Sequence, residues 1–281
     1  MRAQKSKPDR RLISILTKAD ETLDNSVFDS IIERGRETIP DLIAIMENDT
    51  LGSANARGRG YAPIHAVELL QELHAVEACE PMLRLLLRCD EMEIIYGCLV
   101  RALEFFGPQI LEQTLKAYSD AKNDDEREKI ANVLAGLKVT DGKILKILLR
   151  ILEQNEELGA SLLAKYGDPS ALPSLSAKLD ECRVDPDGGI FANQEIIELT
   201  AAIEELGGML TESQKMLRQN ATKQGNSFAG HFLIEAAVKQ QIHAQNNARL
   251  HWSVNQDKAP FQFATTLTLN KPTSVACARA I

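Results

Sequence analysis

The chain has 281 residues, 44% hydrophobic and 26% charged, the balance of an ordinary soluble fold of one or two domains, with only 5% aromatic residues. No stretch approaches ~18 uninterrupted apolar residues, so nothing is expected to span a membrane, and the short run Leu12 to Leu16 is too brief for a signal-peptide core. The net charge of −8 is uneven: residues 1 to 11 carry +4 and residues 211 to 281 carry +5, which leaves −17 for the stretch 12 to 210 and argues against a nucleic-acid wrap driven by phosphate neutralisation.

The basic leader, 1 to 11, is expected to be flexible. Leu12 to Ala19 forms a short helical segment, and Asp24 or Asn25 is placed to cap a helix carrying Val27, Phe28, Ile31 and Ile32. Thr38 to Met46 then begins with Pro40, which suits a first helical turn because its missing N–H would have had no partner there.

The stretch Tyr61 to Asp90 reads as two short helices around a tight bend. Ala66, Leu69, Leu70 and Leu73 make one apolar stripe, and Cys79, Leu83, Leu86 and Leu87 make a second. A pair this small cannot bury both stripes alone and needs copies of itself beside it.

Those copies follow in register. Pro40, Pro81, Gln109, Lys143 and Pro173 mark equivalent positions, with steps of 41, 28, 34 and 30 residues, and the longest step contains an insertion, Asp49 to Gly60. First helices precede the marks at Ile94 to Phe106, Glu126 to Leu137 and Leu158 to Tyr166. A recurring two-helix period is the mark of an α-solenoid.

The copy Leu162-Leu163-Ala164-Lys165-Tyr166-Gly167-Asp168-Pro169-Ser170-Ala171-Leu172-Pro173-Ser174-Leu175 resembles the HEAT repeat of the subclass named for phycobilisome lyases, with its leucine-rich helix, Gly-Asp-Pro turn and proline-led second helix. Gly167 can take the left-handed conformation that ends a helix, and Pro169 cannot continue one. Other copies depart from the turn: His74-Ala75-Val76-Glu77-Ala78 replaces it in one and Gly107-Pro108 shortens it in another. The resemblance covers roughly residues 25 to 183 and at its widest reaches 206. It implies an all-α, armadillo-like superhelix of about five to six antiparallel helix pairs over 12–206.

VDPDGGIFA, residues 184 to 192, breaks the pattern, and Gln194 to Leu206 resumes a helix ended by Gly207-Gly208. A helical C-terminal cap is expected over 207–248, including Phe228 to Gln245, and a flexible tail over 249–281.

Second helices usually line the concave side of such arrays. Positions three and seven after each mark then present Arg84, Arg88, Lys116, Lys146 and Arg150 in register, with Glu112 the one acid among these positions in the three middle copies. Either this is a solvated face that happens to be basic, or it is a groove for an acidic peptide or another anion.

Three other features suggest less. The insertion's glycines and Arg57 and Arg59 resemble a phosphate loop only loosely, since no GxxxxGK[ST] pattern or preceding strand is present, and a flexible connector is expected. His65, Glu68 and Glu72 share a helix face and read as a surface polar stripe. Cys79, Cys89, Cys98, Cys182 and Cys277 lack any CxxC pairing and read as small hydrophobes in a reducing cytoplasm.

The expectation is a non-catalytic, cytoplasmic interaction or scaffold module that binds another protein, through an acidic peptide or surface, on its concave face. No cofactor, metal or membrane is expected, and nucleic acid is not an expected partner. The alternative implied by the resemblance is a phycobilin lyase acting on a client protein. A more remote one is a HEAT-like DNA glycosylase, which the acidic body and the single tryptophan, outside the repeats, disfavour.

Overall fold

A computed structural model describes residues 10–185 and 192–225, and among these the chain is helical with no strand. The basic leader up to residue 9, most of the Asp-Gly turn after Asp185, the expected helix from Phe228 to Gln245, the tail and Cys277 lie outside the described residues.

The first helices of the expected pairs are α2 (Asn25–Arg34), α5 (Ala62–Glu72), α7 (Ile94–Phe106), α9 (Asp124–Gly136), α11 (Glu156–Tyr166) and α13 (Gln194–Glu205). Their seconds are α3 (Ile39–Met46), α6 (Cys79–Leu86), α8 (Leu111–Asp120), α10 (Gly142–Gln154), α12 (Leu172–Glu181) and α14 (Glu212–Gly225). The short α1 (Arg10–Leu16) precedes them, and a single turn, α4 (Asp49–Gly52), lies in the insertion.

Packing runs in sequence order. Along the row α5, α7, α9, α11 and α13, each helix contacts the next, while α6 packs on α7, α8 on α9, α10 on both α9 and α11, and α12 on α13. The expected stripes form the core: Ala66, Leu69 and Leu70 are fully buried, as are Cys79 and Leu86, whereas Leu73 and Leu87 are half-buried.

The turns repeat more faithfully than the sequence that makes them. Each first helix is closed by a residue at positive φ: Gly35 (66°), His74 (50°), Gly107 (58°), Lys138 (57°), Gly167 (80°) and Gly207 (81°). Only glycine adopts this region freely, so His74 and Lys138 hold it at a cost that their neighbours' packing must offset. A short 3-10 turn follows Gly35, His74, Gly107 and Gly167 before the second helix starts, while α10 is instead capped by Asp141, whose side chain accepts from Lys143 N. Pro81 sits at the third residue of α6, still within the first turn, where its absent N–H is tolerated.

Small residues set the spacing of the row. Gly159 on α11 lies against Leu152 of α10 so closely that a Cβ would collide with Leu152 Cα and N, and Gly136 on α9 leaves room for the Glu104 side chain of α7. Across α7, α9 and α11 a polar staple forms: Lys165 Nζ donates to Asn132 Oδ1 (2.6 Å) and Asn132 O (2.9 Å) and pairs with Glu104 Oε1 at 2.5 Å. Glu104 Oε1 is enclosed and meets no well-aligned hydrogen bond, so the lysine ammonium is what neutralises it.

The insertion Asp49 to Gly60, expected as a flexible connector, makes local contacts: Asn48 caps α4, and Gly58 packs where a Cβ would strike the Ala19 carbonyl. The helical run Ile94–Asp120 is long and apolar enough by length and composition to cross a membrane, although Arg101, Glu104, Glu112 and Lys116 interrupt its apolar residues. Gly107 breaks this run into α7 and α8, and α7 buries Leu99, Ala102, Leu103 and Phe106.

Gly159→Ala should therefore destabilise the protein by about 1–3 kcal/mol, because the new methyl meets backbone that cannot rotate away. Chemical denaturation measures it, and Gly97→Ala, whose Cβ would enter open space, is the control expected to leave stability unchanged or raise it.

Candidate binding surface on the second helices

Arg84, Arg88, Lys116, Lys146 and Arg150 are all exposed. Amphipathic helices place them so, since Leu83 and Leu86 of α6 and Leu148 and Ile151 of α10 turn the other way into the core.

Their environments differ. Arg84 Nη2 donates to Glu47 Oε1 on the turn after α3 (2.9 Å), and its Nη1 donates to Glu80 Oε1 one helical turn back (3.2 Å). Arg88 pairs loosely with Asp49 Oδ2 at 3.6 Å. Among the described residues no carboxylate lies within ion-pair distance of Lys116, Lys146 or Arg150. The register therefore splits into a compensated half on α6 and an uncompensated half on α8 and α10. Exposed pairs such as those of Arg84 are worth ~0–1 kcal/mol each, but they cancel charge where a partner would meet it.

Between α6 and α8 lies a groove of about 790 Å³. Its floor holds Leu83, Leu87, Ala117 and Ala121, and Lys116 and Lys122 stand on its rim with Glu80, Asp120 and Glu126. Arg150 on α10 reaches electrostatically to Tyr118 on α8; burial raises the pKa of that phenol and the arginine opposes the rise. Lys146 lines no part of this groove.

Sequence reasoning missed the acids. A signal existed for two of them: Glu80 stands four residues before Arg84 on one helix face, and Glu47 occupies the register position of Arg88 one copy earlier.

His65 is not part of a surface stripe. It is 4% exposed, with Nε2 2.6 Å from the Asp20 carbonyl and Nδ1 3.4 Å from Glu68 Oε2. A carbonyl only accepts, so Nε2 carries a proton, and Nδ1 can donate to Glu68 only when the ring is an imidazolium. Burial lowers the His65 pKa, but the bonds to Glu68 and Asp20 outweigh it and the net shift is upward. Glu72 is exposed, and no group of His, Cys, Asp and Glu suited to a metal occurs among the described residues.

Cys79, Cys89 and Cys98 are buried thiols and Cys182 is half-buried. Burial pushes Cys79 to about 12 and Cys89 and Cys182 to about 11, with neighbouring carboxylates adding to the rise. Nucleophilic thiolates are therefore scarce at neutral pH.

Two measurements follow. Because the folded pKa of His65 is raised, its stabilising effect over a His65→Gln variant should be full below the unfolded pKa of ~6.5 and vanish as pH rises through the folded value, as denaturation at several pH values would register. Iodoacetamide at neutral pH should leave Cys79 and Cys89 unmodified in the native protein and label them after unfolding, which mass spectrometry of the digested protein resolves.

Compared with protein-family models, with curated proteins and with solved structures, the chain matches none.

Proposed function

We propose that the helix pairs form a HEAT-like α-solenoid that works without catalysis, as a cytoplasmic interaction or scaffold module, and that it receives an acidic protein segment on the concave face made by its second helices. The supporting observation is the uncompensated half of the basic register. Lys116, Lys146 and Arg150 are exposed cations without an ion-pair partner among the described residues, in a body whose sequence from 12 to 210 sums to −17. Exposed cations in a body of the opposite sign attract carboxylates and steer their approach.

The groove between α6 and α8 adds an apolar floor next to Lys116, so a segment that interleaves acids with aliphatic side chains suits it better than a bare polyanion. Arg84 and Arg88 take a smaller part in this reading, because any incoming acid must compete with Glu47, Glu80 and Asp49.

Affinity purification with quantitative mass spectrometry tests it. The triple variant Lys116→Glu, Lys146→Glu, Arg150→Glu should lose the partners of the wild-type protein by at least about tenfold, while Arg84→Gln retains them. An unchanged partner set in the triple variant would overturn the proposal.

A further inference from the structure

The insertion Asp49 to Gly60, the source of the longest step in the repeat, is a built wall. Asn48 accepts from Thr50 N and Thr50 Oγ1, Arg59 N donates to Ala56 O, and Tyr61 N donates to Gly58 O. Two glycines are required by close approach: Gly58 against the Ala19 carbonyl, and Gly60 at φ 90°, where a Cβ would stand 2.8 Å from Gly52 O. Between them Arg59 is held at φ 50°, a conformation that non-glycine residues adopt seldom and that recurs at ligand-binding positions.

This wall encloses one side of a cavity of about 680 Å³, within the range of small-molecule sites. Met46, Ile64, Leu85 and Ile95 supply apolar lining from four helices, and at the mouth Met92 and Ile94 are left 92% and 65% exposed. Its charges sort unevenly. Arg88 and Asp49 pair with each other across 3.6 Å, and Glu93 is engaged by the Cys89 thiol. Arg59 lines the same cavity without a carboxylate in ion-pair distance among the described residues. A hollow with an apolar wall on one part of its lining, charged side chains on the rest and one uncommitted guanidinium among them matches a molecule with an apolar body and one anionic head.

We propose that this cavity binds a small amphipathic carboxylate, its alkyl or aryl body against Met46, Ile64, Leu85 and Ile95 and its head on Arg59. The cavity shares Arg88 with the second-helix surface, but the proposed contacts leave that residue out and do not require that surface to bind anything.

Decanoate is the probe, added to the full chain labelled with 13C at its methionine methyl groups. Met46 and Met92 line the cavity, whereas Met209 and Met216 are exposed elsewhere, 93% and 63%, and report nonspecific adsorption. Saturable shifts at Met46 and Met92 with Met209 and Met216 unmoved are expected. Decyltrimethylammonium and the Arg59→Gln variant should each bind about tenfold more weakly, the loss of one charge-assisted contact. Because Met92 is exposed, Met92→Glu leaves the fold intact and should also weaken binding, with Met46 still reporting. Equal shifts at all exposed methionines, no saturable shift, or unchanged affinity in Arg59→Gln or toward the cationic probe would each overturn the proposal.

Discussion

Each helix of the row α5, α7, α9, α11 and α13 is apolar on more than one side, and its burial depends on its neighbours in the row. Leu99 and Leu103 on α7, Ile130 and Leu134 on α9 and Leu163 on α11 are fully buried although their own helix pairs could not enclose them. Burying such a side chain contributes ~1.5–3 kcal/mol, so the row gains most of its stability from contacts between successive pairs. Small residues keep those contacts tight: Ala102, Ala131, Ala135, Gly136, Gly159 and Ala160 all lie on these helices at buried positions. The Lys165 staple to Asn132 and Glu104 then ties three consecutive first helices in one register, because a half-buried ammonium left without its acceptors would be costly.

Because the first helices spend their faces on one another, the second helices keep a side for solvent. That is why the charged register of α6, α8 and α10 stays exposed while their leucines are buried. On α6 the exposed side is met by acids from the turn after α3, and among the described residues no ion pair forms with Lys116, Lys146 or Arg150 on α8 and α10. The longest step in the repeat has a related effect. Extra chain between α3 and α5 leaves room for a wall where neighbouring pairs have only a turn, and the cavity behind it opens beside the start of α7.

Much of the helical order was legible in the chain. Proline at the first turns, the cap at Asp24, and apolar residues at helical spacing act within a few residues of where they stand. They placed α5, α7, α11 and α13 within a residue or two. The helix α14 was foreseen only as part of a broader cap, because its sequence has few apolar residues and a weak stripe.

The tertiary structure decided what depends on partners far along the chain. His74 and Lys138 take the positive φ that a sequence pattern reserves for glycine, since the packing of whole helices on either side dictates the turn. His65 is buried because Asp20, 45 residues away, supplies its acceptor, and Arg84 is neutralised by Glu47, 37 residues away. Local spacing determined that this chain is helical and where its stripes run. Which cations remain uncompensated, and that the insertion walls a cavity, came only from the folded chain, because both depend on distances between residues that the sequence holds apart.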